Sequence, residues 1–377
     1  MKIDAHYYAV LSFCRACGFK KESAGVVAYA SQFVDDAKIN HIVLEERPKN
    51  KDIKVEEIQG QFSFLNMATC HTYTRVKTFN YSAMTHNTCA FHFVPRCDGP
   101  NFPRKLKCKQ ESPVILDILK DAKKEDDLIK LGIVLHAYAD TFSHQGFSGL
   151  ISKVNDIKKC KTIGSTPWIW ADKLPRLVTW LREGRDHDFI DKLTDTIIPG
   201  YGHGQAMVYP DLPYLRWSYE YDFTDEFSTQ YTSTGEIDNR LRFKKAFERI
   251  KGHLQEYLKN HPKHVDDQLR FDAFSVLFDT LVAKKNDNQR IENWQKVMVD
   301  HGLFLPSDTE YKYHEDRWLK AAFKNFERKK FHRRKVTGVE LSEEFENSHW
   351  YQYYKAVKWY KEKFFGYCKD HGLEIPR

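Results

Sequence analysis

An all-α, multi-helix globular fold is what this sequence predicts, on three observations. From about residue 238 onward, Leu241, Phe243, Phe247, Ile250, Leu254 and Leu258 recur mostly at three- and four-residue steps, the spacing of one helical face. Similar spacing marks 268–283, 289–300, 315–331 and 343–368. Near the start of the chain, residues 5–19 and a segment beginning at Lys21 carry the same pattern. Between these, the apolar run Leu131, Ile133, Val134 and Leu135 leads into Leu135-His136-Ala137-Tyr138-Ala139-Asp140-Thr141-Phe142-Ser143-His144, which reads as a buried helix.

Taken in order, the first helix holds Tyr8, Leu11 and Phe13, and Gly18 ends it. The second carries Val26, Val27, Tyr29, Ala30, Phe33 and Val34, and delivers Asp35 and Asp36 at its end. Pro48 to Gly60 is charged and reads as a loop or short hairpin. From Phe62 to Pro113 periodicity is poor. Phe91-His92-Phe93-Val94-Pro95 looks extended, and the Pro, Gly and Asn cluster over 95–103 is a loop. Helical pattern returns at about 113–130 and continues to Gly146 and Gly149, its candidate stops. One or two helices are expected around Trp168, Trp170, Leu177 and Trp180. The glycines and prolines of 199–213 mark turns. The long irregular loops thus fall in the first half, with a metal-binding core over 1–235 and a helical region over 236–377 that packs on it or continues it as one domain.

Composition narrows the functional classes. The chain has 377 residues, 41% apolar and 14% aromatic, enough for a large core. The net charge of +7 is modest and the signs are interspersed, which does not mark a nucleic-acid binder. No apolar run approaches the roughly 18 residues of a membrane span. An acid and a histidine stand in Met1-Lys2-Ile3-Asp4-Ala5-His6 where a signal peptide has its apolar core. Among the 8 cysteines, Cys14 and Cys17 form the sole C-x-x-C pair. The expectation is free thiols in a reducing, cytoplasmic compartment.

The strongest chemical signal is the stripe His136, Asp140, His144. Steps of four drift only about 40° per step from a turn of 3.6, so the three share one face. Histidine and carboxylate are the ligands that divalent metals such as zinc favour. At about 1.5 Å per residue the two histidines lie roughly 12 Å apart along the axis. They do not share one ion easily, so a metal site here serves two or more. The alternative is a buried hydrogen-bond network, which must offset the cost of an unpaired buried carboxylate. Other metal-capable residues cluster in the first 211 positions: Asp4, His6, Asp35, Asp36, His41, His71, His86, His92, His203 and Asp211. Asp4 could equally cap the first helix, and His92 could be a core histidine. The later histidines sit mostly among charged residues, as at a surface.

This order of residues resembles zinc-dependent phospholipase C and the P1/S1-type nucleases, all-helical enzymes with a three-metal cluster. The matching residues are His6, Asp36, His71, His136 with Asp140, His144 and His203. A closer likeness is to an uncharacterised bacterial family of cytoplasmic proteins related to that superfamily. It is carried by the opening Asp4-Ala5-His6, the segment Tyr29 to Asp36, Phe91 to Pro95, the His136 stripe, and His203 to Asp211. The resemblance implies two or three divalent ions, zinc foremost, with manganese or iron also compatible. It implies Asp36, His71, His136 and Asp140 around one ion, His6, Asp140 and Asp4 around a second, and His144 and His203 at a third. In the secreted phospholipases a terminal amine is a ligand, and here Asp4 is expected in its place. Asp35, or Asp36, would serve as general base for hydrolysis of a phosphate ester, a phospholipid or a nucleic acid, by metal-activated water. Arg75, Arg96 and Lys130 are candidate phosphate contacts. Three rivals remain: a non-catalytic metal-stabilised scaffold, an HD-type phosphohydrolase using His187-Asp188, and a binding or effector protein. The last would act at membrane or nucleic acid through the basic run Arg328 to Lys335 and the aromatic segment Trp350 to Tyr367.

Overall fold

In the computed structural model, which describes residues 1–70, 81–150, 155, 157–164, 203–206, 208–222, 231–331 and 333–376, the expected all-α fold gives way to a mixed α/β architecture. Two four-stranded sheets form among the described residues. The first takes β1 (His41–Leu44), β2 (Glu56–Ile58), β3 (Gln61–Leu65) and β8 (Lys335–Val339) in the order β2-β3-β1-β8, with β8 parallel to β1 and the other pairs antiparallel. The second centres on β5 (Arg216–Asp222), which pairs with β4 (Ile157–Thr162), β6 (Tyr231–Ser233) and β7 (Ile237–Asp238).

A short hairpin is among the readings of Pro48 to Gly60, and β2 with β3 forms one; several other strands escape sequence reading for physical reasons. β1 and β2 are too short to show a period. In β4 a bulge between Lys158 and Lys161 breaks the alternation. β5 does alternate, with Trp217, Tyr219 and Tyr221 between polar residues, a two-residue period that identifies a strand.

Most of the expected helices are present, but the segment expected as helix over 315–331 gives only two short ones, Arg317–Ala322 and Arg328–Phe331. A π-helical turn, Asp4–Ala9, runs into α1 (Val10–Ala16), and α2 spans Lys21–Asp36. α3 (Pro113–Lys124) starts on a Ser112 cap with proline at its first position. α4 (Leu128–Ser143) starts on Asp127, whose carboxylate accepts from the Ile129 and Lys130 amides at 2.9 and 3.0 Å. Then come α5 (Asn239–Asn260), α6 (Phe274–Leu281), α7 (Asp287–Asp300) and α8 (His349–Asp370). The Phe91 segment is not extended at its start. A second π-helical turn, Met84–Cys89, continues as helix through Ala90–His92, and the backbone leaves the helix at Phe93. The helices expected around Trp168 to Trp180 lie outside the described residues.

α4 is buried on all sides from Leu131 to Ser143, as suits a helix apolar around its circumference. α2, α3, α5 and α8 pack around it. The aromatic segment of α8 belongs to this core: Trp350, Tyr353, Tyr354, Tyr360 and Phe364 are buried rather than offered to a membrane surface. Among the described residues, no helix is long and apolar enough to cross a membrane. No disulfide joins any of the eight cysteines.

Candidate metal centre

The stripe on α4 points inward. His136 and Asp140 are buried, and His144 caps the helix with its ring against Phe93. Four other parts of the chain bring side chains to it. The first π-helical turn supplies His6, whose ring stacks on His136 at 3.8 Å. The second leads directly to His92. Such turns widen the backbone locally and recur at functional sites. α2 ends with Asp35 facing α4, and the short helices His203–Ala206 and Tyr209–Asp211 bring His203 and Asp211 to His144.

Among the described residues, three groups have the spacing to hold a metal ion: His6, His136 and Asp140; Asp35, His92 and His136; and His144, His203 and Asp211. Asp140 ties them together. Its Oδ1 lies 3.2 Å from His6 Nε2, and its Oδ2 lies 3.2, 3.4 and 3.7 Å from His92 Nδ1, His136 Nε2 and His144 Nδ1. Asp35 Oδ1 stands 3.8 Å from both His92 Nδ1 and His136 Nε2. Asp211 reaches His144 Nε2 at 3.1 Å and His203 Nε2 at 3.3 Å.

Hydrogen bonds to carbonyls fix which ring nitrogens face the centre. His92 Nε2 donates to the Thr69 carbonyl at 3.0 Å, and His144 Nδ1 donates to the His92 carbonyl at 2.7 Å. The other nitrogens, His92 Nδ1 and His144 Nε2, then face carboxylate oxygens at 3.2 and 3.1 Å, a spacing that needs a proton or a cation between the two atoms. Carbonyl-oriented imidazoles of this kind are the usual outer arrangement of metal-binding histidines.

The ionisation pattern suits the same role. Burial pushes His6 and His136 down to about 4 and lowers His203, so these rings are neutral near pH 7. At His92, burial is outweighed by its bond to Asp140 and the charge of Asp35, and its pKa rises. Burial opposes ionisation of Asp140 and Asp211. The surrounding histidines and the Met1 amine nevertheless hold both well below the ordinary carboxylate value.

The Met1 nitrogen lies in the middle of this array, 2.6 Å from Asp140 Oδ1 and 3.1 Å from Asp211 Oδ1. Burial works against its charge, but Asp140, Asp211 and Asp35 hold it up at about 11. Asp4, expected there as a ligand, points away. It pairs with buried Arg290 of α7, which also donates to the carbonyls of Ala283 and Leu281 at 2.8 and 3.1 Å. The reason is the turn itself, which turns His6 inward and Asp4 toward α7.

Asp36 is likewise not in the cluster. Its carboxylate accepts from Tyr313 Oη at 2.5 Å and Gln32 Nε2 at 3.2 Å, and burial pushes it up to about 6. One residue along a helix is about 100° of rotation, and it is Asp35 that faces the metal-capable histidines. Asp35 thus stands among the prospective ligands rather than as a separate base. His92 and Asp211, left without a role by sequence reading, are members of the groups. His41 meets Ser63 in the first sheet, and His86 meets the Ser82 carbonyl. Arg96 pairs with Asp98 and Lys130 with Glu125. His71, Arg75 and His187-Asp188 lie outside the described residues.

An open cleft whose lining includes Ile3, Gln32, Asp36, Tyr313, Arg317 and Lys320 lies beside the end of α2, and no member of the three groups lines it. Asp35 is 30% exposed and Asp211 15%, while His6, His136 and Asp140 are at most 1% exposed. The centre is closed beneath and open at one edge.

Comparison with known proteins adds a family but no activity. No curated protein matches this chain. No solved structure matches it either. Residues 1–368 match the model of a family of unknown function, DUF6765, and the chain belongs to that family.

Proposed function

We propose that this chain is a metal-dependent phosphoesterase, hydrolysing a phosphodiester or phospholipid at a polynuclear centre built around Asp140. The observation that supports this most is the contiguity of the three groups: Asp140 Oδ2 lies within 3.7 Å of a nitrogen from each. Ions held there would sit a few ångströms apart, the spacing used in two-metal phosphoryl chemistry. Two or three zinc ions are the proposed complement, and histidine with carboxylate also suits manganese or iron. When bound, such ions lower the pKa of water toward neutrality, polarise a phosphoryl oxygen and stabilise the leaving oxygen.

The chain's own residues supply the rest. His92 and His144 are held in one tautomer by carbonyls. His6 and His136 stay neutral through burial. Asp35 and Asp211 stand at the exposed edge, where a substrate would arrive. The nearby cleft carries Arg317, Lys320 and Arg328 beside Asp36, Glu315 and Asp316, so its lining offers cations to a phosphate without a net positive charge. The free thiols accord with a cytoplasmic setting.

The burial of His6 and His136 favours one other reading, a closed centre that stabilises a binding or effector protein. Structural sites are coordinatively closed, whereas catalytic sites keep a position for water. The partial exposure of Asp35 and Asp211 weighs toward the catalytic reading. The test is elemental analysis of the purified protein, then hydrolysis of bis(p-nitrophenyl) phosphate before and after chelation and metal return. Two or three ions per chain with metal-dependent turnover is the expected result. Bound ions without turnover on diester, monoester, phospholipid or single-stranded nucleic acid would move the assignment to the structural reading.

A further inference from the structure

Thr69 supplies no side chain to the centre, yet it touches two of the three elements that build the Asp35–His92–His136 group. Its carbonyl accepts from His92 Nε2 at 3.0 Å and so sets the tautomer of that ring. Its hydroxyl donates to the Val34 carbonyl at 2.7 Å, one residue before Asp35. That donation uses the single hydroxyl proton, so Tyr353 Oη, 3.0 Å away, must donate to Thr69 Oγ1. The Thr69 amide is bound to the Ala37 carbonyl at 3.1 Å, just past the end of α2. The residue is wholly buried.

α8 grips the same segment a second time. Lys361 Nζ donates to the carbonyls of Asn66 and Ala68 at 2.9 and 3.3 Å and to Asn87 Oδ1 at 3.2 Å. Three acceptors are as many as an ammonium group can serve, although burial pushes the Lys361 amine down to about 7. They tie the chain before Thr69 to the π-helical turn that leads to His92.

We propose that Thr69, clamped from α8 by Tyr353 and Lys361, is the positioning residue of the Asp35–His92–His136 group, so that a helix contributing no ligand sets how tightly one ion of the centre is held. The inference rests on the reading of these groups as metal sites and is independent of what the protein hydrolyses. Removing the hydroxyl frees the Val34 carbonyl, loosens Asp35 at the end of α2, and lets the Thr69 carbonyl drift from His92. Groups that orient metal ligands in this way typically change metal affinity by about 10–100-fold when removed.

The test compares wild-type protein with Thr69→Val, Thr69→Ser and Tyr353→Phe. Zinc stoichiometry and affinity are measured by titration against a competing chelator, and the melting temperature is recorded for each metal-free protein. Thr69→Val is expected to weaken one ion by about 10–100-fold and leave the remaining ions at wild-type affinity. Thr69→Ser, which keeps the hydroxyl, should restore tight binding. Tyr353→Phe should shift the same ion in the same direction by less. Wild-type affinities in Thr69→Val would overturn the proposal. So would a uniform loss of every ion that tracks a fallen melting temperature, because that marks a general packing role. Wild-type protein that takes up no zinc, manganese or iron at all would overturn the metal reading itself and this proposal with it.

Discussion

Asp140 meets five nitrogens with two oxygens: the Met1 amine and His6 on Oδ1, and His92, His136 and His144 on Oδ2. Among the described residues, no other side chain of the centre reaches all three groups. Asp140→Asn keeps the volume and removes the charge, so it should cost at least two bound ions and lower any phosphodiesterase turnover by more than about 100-fold. Far-UV circular dichroism should stay near that of the wild type, and full metal occupancy in this variant would contradict the shared-carboxylate arrangement. The two buried histidines beside it make a separate prediction about pH. His6 and His136 are held near 4 in the folded chain, against about 6.5 when unfolded. Between those values the unfolded chain binds more protons, so stability is lost as pH falls through that window and levels off below it. Urea midpoints of metal-free protein should therefore drop from pH 7 to pH 4.5. His6→Gln should flatten that slope, and an unchanged slope would show that His6 is not the group responsible.

The contact of α2 with α4 decides which of two adjacent aspartates enters the centre. Val27, Ser31 and Asp35 recur every four residues along α2, and the first two lie against Gly132 of α4. A Cβ built on Gly132 would stand 2.4 Å from the Val27 carbonyl and 2.7 Å from the Ala30 Cβ. Those atoms are backbone and a neighbouring methyl, so the helices must part. Gly132→Ala should destabilise the protein by about 1–3 kcal/mol, the usual cost of overpacking. It should also weaken the Asp35–His92–His136 group more than the His144–His203–Asp211 group, read as unequal loss among the ions in a chelator titration. Much of this was legible in advance. The stripe on α4 follows from helical spacing alone, whereas His6 and the acidic end of α2 enter only through the resemblance in residue order, which favours Asp36 as the ligand. The choice of Asp35 over Asp36 could have been read from the same four-residue series through Ser31 to Val27. His92 could not: its role depends on the Thr69 carbonyl, 23 residues away in sequence, which no local pattern encodes. The strands were lost for a like reason, since β1 finds its parallel partner in β8, near the far end of the chain.

The two halves of the chain are interleaved rather than stacked. β8 completes the sheet begun by β1, Lys361 holds Asn66 and Ala68, and Tyr360 Oη donates to the Ala90 carbonyl at 2.8 Å. Most consequential is the pairing of Asp4 with Arg290, because both are buried and Asp4 stands two residues before His6. Removing one member of a buried pair leaves the other charge uncompensated and typically costs about 3–5 kcal/mol. Arg290→Met should therefore destabilise the protein by about that amount, read as a lowered urea midpoint. It should also reduce metal uptake, because the turn that carries His6 loses its anchor on α7. The double variant Asp4→Asn with Arg290→Met removes both charges and should recover part of the stability, which separates the ion pair from simple loss of packing. A fragment ending near residue 235 lacks α5, α7, α8 and β8 together. It should fail to give a cooperative unfolding transition and should not retain metal. A fragment that folds and binds ions normally would show that the first half holds its centre without the second.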